Sequence, residues 1–236
     1  MALQAQQIRE RFKQEVKNEN GSGLRSDQVY LNIRGKILDG QFLPGDMLVI
    51  RDLAAELNVS MTPIRESLHR LIAEGAIESR EHRSARIPLL SLASVEEIWK
   101  IRLRLEPYAV ERAVPLLSNL DIDLLTQYSE QVAEAKKHSF GPEINRLVRQ
   151  FYFYFYQSAG MPRLTKMIED LWTSYMPTLA WLLEHEHRVD ITGQYQEKRY
   201  GRLLKAAKKR DSQAAAQCFV DTLNFSLQRL RNTLQT

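Results

Sequence analysis

The sequence predicts a mainly α-helical chain in two parts, a small α+β module near the start and an all-α bundle of six to seven helices behind it. Three observations carry this expectation. Up to about residue 90, Gly and Pro punctuate short apolar segments, and a charged turn separates two strand-like stretches. From Ser91 onward no strand signal recurs, and helical periodicities follow one another with breaks at Pro115, Gly141, Gly160/Pro162, Gly193 and Asp211. Hydrophobic residues at 44% and charged residues at 26% of 236 positions are globular composition, with room for one or two buried cores.

Taken in order, residues 2–17 read as a helix, because Ile8, Phe12 and Val16 share one stripe. Asn18 to Gly23 is polar and glycine-containing, so residues 1–23 are expected to be an N-terminal helix and linker. The α+β module then spans 24–89. Its first helix runs from about Ser26 to Asp39 on Val29, Ile33 and Ile37, and Gly40, Pro44 and Gly45 force a turn. A helix over about Ile50–Leu57 follows. Ser60 suits the N-cap of another helix that runs to about Glu74 and stops at Gly75. Ala76–Arg80 and Ala85–Leu89 flank the turn Glu81-His82-Arg83-Ser84 as a hairpin, and Pro88 confines the second segment to an edge or a strand end. The bundle occupies 92–233, with helices at about 93–114, 119–138, 142–158, 162–186, 195–209 and 212–233.

Some classes are excluded at once. The lone Cys218 rules out an intramolecular disulfide framework and most cysteine-based zinc modules. Neither a long apolar run nor a secretory leader pattern is present, so a cytoplasmic protein with no membrane partner is expected. The net charge is +4, yet residues 1–90 hold 13 Lys+Arg against 12 Asp+Glu, so the smaller module is almost neutral. Any anion it binds must be met by charges in particular places.

A short helix, the turn Asn58-Val59-Ser60, a second helix and a charged hairpin form the order of a winged helix-turn-helix. In that arrangement the second helix enters the major groove amino end first, which here presents Ser60, Met61, Thr62 and Arg65. Leu53, Ala54, Leu57, Val59, Ile64, Leu68 and Leu71 would hold the helices together. A solvated Arg65 paired with Glu66 or Glu74 is the plainer alternative. The run from Tyr30 through Gly40, Pro44-Gly45, Leu53-Ala54 and Val59-Ser60-Met61-Thr62-Pro63-Ile64-Arg65-Glu66-Ser67-Leu68 to Glu74-Gly75 resembles the GntR family of bacterial transcriptional regulators. The resemblance implies a homodimer that reads a palindromic operator in double-stranded DNA through Arg51, Ser60, Thr62 and Arg65, with His82 and Arg83 at the wing tip. Met61 stands where the family usually has arginine, Ser84 near a customary glycine, and Ile50 where an acidic residue is frequent.

In the bundle, Ile101-Arg102-Leu103-Arg104-Leu105-Glu106-Pro107, Phe151-Tyr152, Ser158-Ala159-Gly160 and Leu203-Leu204 resemble the FCD effector domain of the FadR subgroup. Many such domains hold a metal with one Asp and three His. Carried across, those positions are Val148, Tyr152, Tyr200 and Thr222, and Asp221 beside the last would not rebuild a site alone, so no metal and no cofactor is expected. The unbroken aromatic run Phe151 to Tyr156 marks a central helix. A pocket is expected from Tyr152, Tyr156, Tyr175 and Tyr200, with Arg102 as the cation for a small-molecule effector, an organic acid. Core packing is the alternative, and it is favoured for Phe151 and Phe155.

The expected function is a non-enzymatic transcriptional regulator whose DNA affinity an effector changes, as repressor or activator. An acyl-CoA effector is a second possibility, with Lys205, Lys208, Lys209 and Arg210 as its phosphate cluster. From another class comes a di-iron enzyme using the pairs Glu66/His69 and Glu184/His187.

Overall fold

The computed structural model describes residues 26–80, 84–138, 141–185 and 194–234. The expected helix at 2–17, the wing-tip residues His82 and Arg83, and His187 all lie outside the described residues. Helix α1 (Ser26–Leu38) buries Val29, Tyr30, Ile33 and Ile37 on one face. A strand that the periodicity missed, β1 (Met47–Val49), leads into α2 (Ile50–Glu56) and α3 (Met61–Ala73). Three residues are too few to alternate visibly, so β1 left no period-two signal. The hairpin follows as β2 (Glu78–Arg80) and β3 (Ser84–Arg86).

The sheet order is β1-β3-β2, antiparallel throughout, with Met47 opposite Arg86 and Glu78 opposite the same residue. The second hairpin segment is therefore central rather than an edge. Pro88 is accommodated at the strand end, one residue past the last paired position, Ile87, whose N–H donates to Asp46 at 2.9 Å and whose carbonyl accepts from Gly45 at 3.0 Å. Across β2 and β3, Arg86 donates to Glu78 at 2.8 Å.

Helix α3 ends as expected at Gly75, whose φ of +71° is open to glycine. Gly75 N–H donates to Ile72 and Ala76 N–H to Leu71, the paired bonds of a Schellman cap. The start of α3 differs from expectation, since Ser60 sits at the N-cap with no side-chain hydrogen bond.

The bundle contains α4 (Leu92–Ala113), α5 (Asn119–His138), α6 (Pro142–Ser158), α7 (Pro162–His185), α8 (Gln194–Lys208) and α9 (Ser212–Leu234). Every residue from Phe151 to Tyr156 is buried, so α6 is central, packed by α4, α5 and α7. Apolar side chains gather into two cores, one around Ile33, Leu53, Ile64 and Leu71, the other around Phe151, Trp172 and Phe219. Leu38, the last residue of α1, belongs to the second of these. The first helix of the small module is thus plugged into the bundle.

Candidate functional site

The helix-turn-helix surface is built by one-sided burial. On α2 and α3, Leu53, Ala54, Ile64, Leu68 and Leu71 are buried, while Arg51, Ser60, Thr62 and Arg65 are exposed on the other side. The turn between them needs Asn58 at φ +51°, a conformation asparagine tolerates better than most residues. The carboxylates that could have held Arg65 are engaged elsewhere. Glu66 accepts from the Ser26 hydroxyl at 2.7 Å, and Glu74 accepts from the Tyr30 hydroxyl at 2.8 Å and from Lys166 at 3.3 Å. Burial presses the Glu74 pKa upward, but these hydrogen bonds and cations bring it below its ordinary value. Ser60 is exposed and caps nothing, so the first-turn amides of α3 are not satisfied by its hydroxyl, and a helix N-terminus of this kind suits a phosphate.

Between the two cores lies a polar joint. Arg34 on α1 is buried and donates to Glu169 at 2.7 Å and to Asp170 at 2.8 Å, both on α7. Burial opposes its charge, yet the two carboxylates raise its pKa on balance. Just beyond α1, the Asp39 carboxylate accepts from Arg149 of α6 at 2.9 and 3.1 Å. Burial raises the Asp39 pKa, and Arg149 pulls it only partly back. The Asp39 carbonyl accepts from the Asn145 side chain at 3.1 Å. Gly40 completes the joint at φ +71°, where an added Cβ would sit 2.6 Å from the Ala180 side chain and 2.8 Å from Asn145. Only glycine fits both the backbone and the space.

Inside the bundle a cavity of about 110 Å³ opens between α4, α6, α7 and α9, with Arg199 of α8 on its wall. Tyr152 and Tyr175 line it, as do Val148 and Thr222; Val148, Tyr152 and Thr222 are three of the four inferred metal-ligand positions. Asn145, which holds Asp39, lines it too. One side chain thus touches both the cavity and the small module. The donor set does not fit a metal. Among the described residues Glu106 is the sole carboxylate in the lining, and no group of three or more His, Cys, Asp or Glu is placed to hold an ion.

Three expectations about the pocket need correction. Tyr156 lies behind the lining, because its hydroxyl donates to Glu106 at 2.8 Å, and burial beside that carboxylate raises its pKa. Tyr200 also lies outside the lining, packed on Phe151 with ring centroids 4.6 Å apart. Arg102 does line the cavity, but its charge is already matched. Its Nε donates to Glu106 at 2.6 Å and its Nη2 at 3.3 Å, with both residues nearly inaccessible. Trp172 Nε1 adds a 2.9 Å bond to the same carboxylate. The guanidinium is boxed by rings, 4.1 Å from the Tyr175 centroid and 4.4 Å from that of Trp99. The i, i+4 spacing of Arg102 and Glu106 on one helix was the available signal for this pair.

Arg199 and Arg229, both lining, and the joint residues Arg34, Asp39 and Arg149 went unrecognised. No local pattern marks Arg34, Asp39 and Arg149, since their partners lie over 100 residues away in the chain. The basic cluster proposed for an acyl-CoA is not at the cavity. Lys205, Lys208 and Lys209 are exposed, and Arg210 donates to the carbonyls of Val114 and Leu117. Glu66 and His69 are exposed on α3, far from any carboxylate cage.

Residues 25–87 match the family described as bacterial regulatory proteins, gntR family, and residues 97–225 match the FCD domain. The HTH-type transcriptional regulator McbR of Escherichia coli is 29% identical over 85% of this chain and 90% of its own length. The gluconate operon transcriptional repressor of Bacillus subtilis is 26% identical over 72% of this chain and 68% of its own. The solved structure of E. coli McbR/YncC superposes with a TM-score of 0.83 at 27% identity, covering 90% of this chain and 99% of that one. These relatives are transcriptional regulators, not enzymes, which removes the di-iron reading.

Proposed function

Because the chain belongs to the GntR family of bacterial regulatory proteins and carries an FCD domain, we propose that it is a homodimeric regulator of one palindromic operator, controlled by a small organic acid in the bundle cavity. The chain is a transcriptional regulator of this family. Arg51, Ser60, Thr62 and Arg65 contact the operator, with His82 and Arg83 at the wing, and the protein acts in the cytoplasm on nucleoid DNA. Tyr152 and Tyr175 contact the effector. Exposed Ile101 and Tyr108, one stripe of α4, with Leu116 and Leu120 just after it, support a second copy docking on the bundle. Two copies also supply the charge that one nearly neutral module lacks.

The observation that carries the regulatory half is Asn145, which lines the cavity and holds the Asp39 carbonyl at the end of α1. A ligand that moves Asn145 moves α1, and α1 packs on the recognition helix α3. The ligand changes operator affinity by its differential affinity for the two arrangements. No metal takes part, since the residues at those positions carry no ligating atoms that fit one.

The joint gives a direct test. Gly40→Ala adds a left-handed strain and a methyl group with no room, so unfolding stability should fall by about 2–4 kcal/mol. Operator affinity, read by fluorescence anisotropy on a palindrome selected from random DNA, should change with it by several-fold. Unaltered stability and affinity together would mean that the joint does not connect the two cores.

A further inference from the structure

We propose that Met61 is a specificity-determining residue: its side chain covers the 5-methyl group of one thymine in each half of the operator, next to the base pair that Arg65 reads. The inference rests on α3 lying in the major groove, and deepens that reading by naming the base at one position.

Placement comes from α3 itself. Met61 is its first residue, and Met61, Arg65 and His69 recur at every fourth position, all exposed, while Ile64, Leu68 and Leu71 are buried on the opposite side. Side chains four apart on a helix share one face and stand about 6 Å apart. Base pairs follow one another every 3.4 Å or so, which puts Met61 about one to two steps from the pair beneath Arg65. No side-chain cap covers this end of the helix, since Ser60 makes no such bond and Thr62 is exposed beside it.

Chemistry then selects the base. Met61 is 52% exposed, and among the described residues it is the one large apolar side chain left exposed on α3. A thioether has no N–H or O–H to donate, and its sulfur is a weak acceptor. Pressed against the N7 and O6 acceptors of guanine, or the amino groups of adenine and cytosine, it would strip water from them and return no hydrogen bond. The thymine methyl is the apolar group on the major-groove edges of the bases. An unbranched chain with three rotatable bonds can follow that methyl closely. Arg65, one turn on, has the opposite character and suits a pair rich in acceptors. Covering one methyl group is worth about fourfold in affinity, and two half-sites together about fifteenfold.

The experiment removes the methyl group from the DNA. The full chain first selects an operator from random DNA, and Arg65→Ala marks the position whose base preference is relaxed. Each symmetry-related pair of thymines is then replaced by deoxyuridine, which pairs identically and lacks only the methyl. In anisotropy titration at fixed salt, one such replacement, within about two base pairs of the marked position, should weaken binding about fifteenfold. Met61→Ala, checked for unchanged thermal melting, should bind the thymine operator about as weakly as the unaltered chain binds the deoxyuridine one, and should not distinguish the two. No thymine in that interval, no loss on its replacement, or an equal loss in Met61→Ala overturns the assignment. Arg65→Ala separates the two levels. Indifference to the methyl group, with operator affinity still lost in Arg65→Ala, overturns the role of Met61 alone. Indifference with Arg65→Ala also without effect would mean that α3 does not enter the groove, and the underlying reading would fall as well.

Discussion

Arg102→Ala is expected to destabilise the fold by about 3–5 kcal/mol, because it leaves a buried carboxylate without its counter-charge. Glu106 is 1% exposed, and its contacts from Trp172 and Tyr156 were built around an ionised, paired group. Both rings that flank the guanidinium, Trp99 and Tyr175, would also lose a contact. Urea unfolding checks this through the midpoint at constant slope. Removing both charges while keeping an acceptor for Tyr156 and Trp172, Arg102→Met with Glu106→Gln, should recover most of the loss. A loss below about 1 kcal/mol for Arg102→Ala would mean that the pair is solvated and that the arginine is available to a ligand after all.

Arg65→Ala should act on the other axis. Its side chain is exposed and makes no ion pair among the described residues, so stability should change by no more than about 0.5 kcal/mol. A bidentate base contact is worth about 1–3 kcal/mol, or roughly tenfold per 1.4 kcal/mol, and a dimer loses two. Anisotropy titration at fixed salt should therefore show operator affinity falling by about a hundredfold or more. Equal operator affinity for the variant would remove α3 from the major groove.

The contrast between these two arginines shows where sequence reading reaches and where it stops. Helix spans were legible because each helix repeats its apolar residues at its own period; α6 was recognisable as central from an aromatic run with no polar face. The exposed side that carries Arg51, Ser60, Thr62 and Arg65 was legible because the turn and its flanking apolar positions fix which side of a short helix is free. Strand β1 was not legible, since it exists by pairing with β3 some forty residues later. Arg102 was recognised as buried in the right place but given the wrong partner. Periodicity says which face a residue occupies, and Glu106 one turn away, rather than a ligand, decides what its charge does. The Asp39–Asn145 contact spans 106 positions, and nothing local to either residue announces it. Gly40 looked like an ordinary turn glycine; its tight fit against Ala180 appears only once the bundle is folded.

In the proposed mechanism the state of the cavity reaches DNA through the joint at Asn145. It is tested most directly by operator affinity across a double-mutant cycle of Val148→Phe, which fills the cavity, and Asn145→Ala, which removes the bond to Asp39. Val148→Phe should shift operator Kd several-fold in the otherwise unaltered chain and leave it unchanged in the Asn145→Ala background. An equal shift in both backgrounds, or none in either, would contradict the claim.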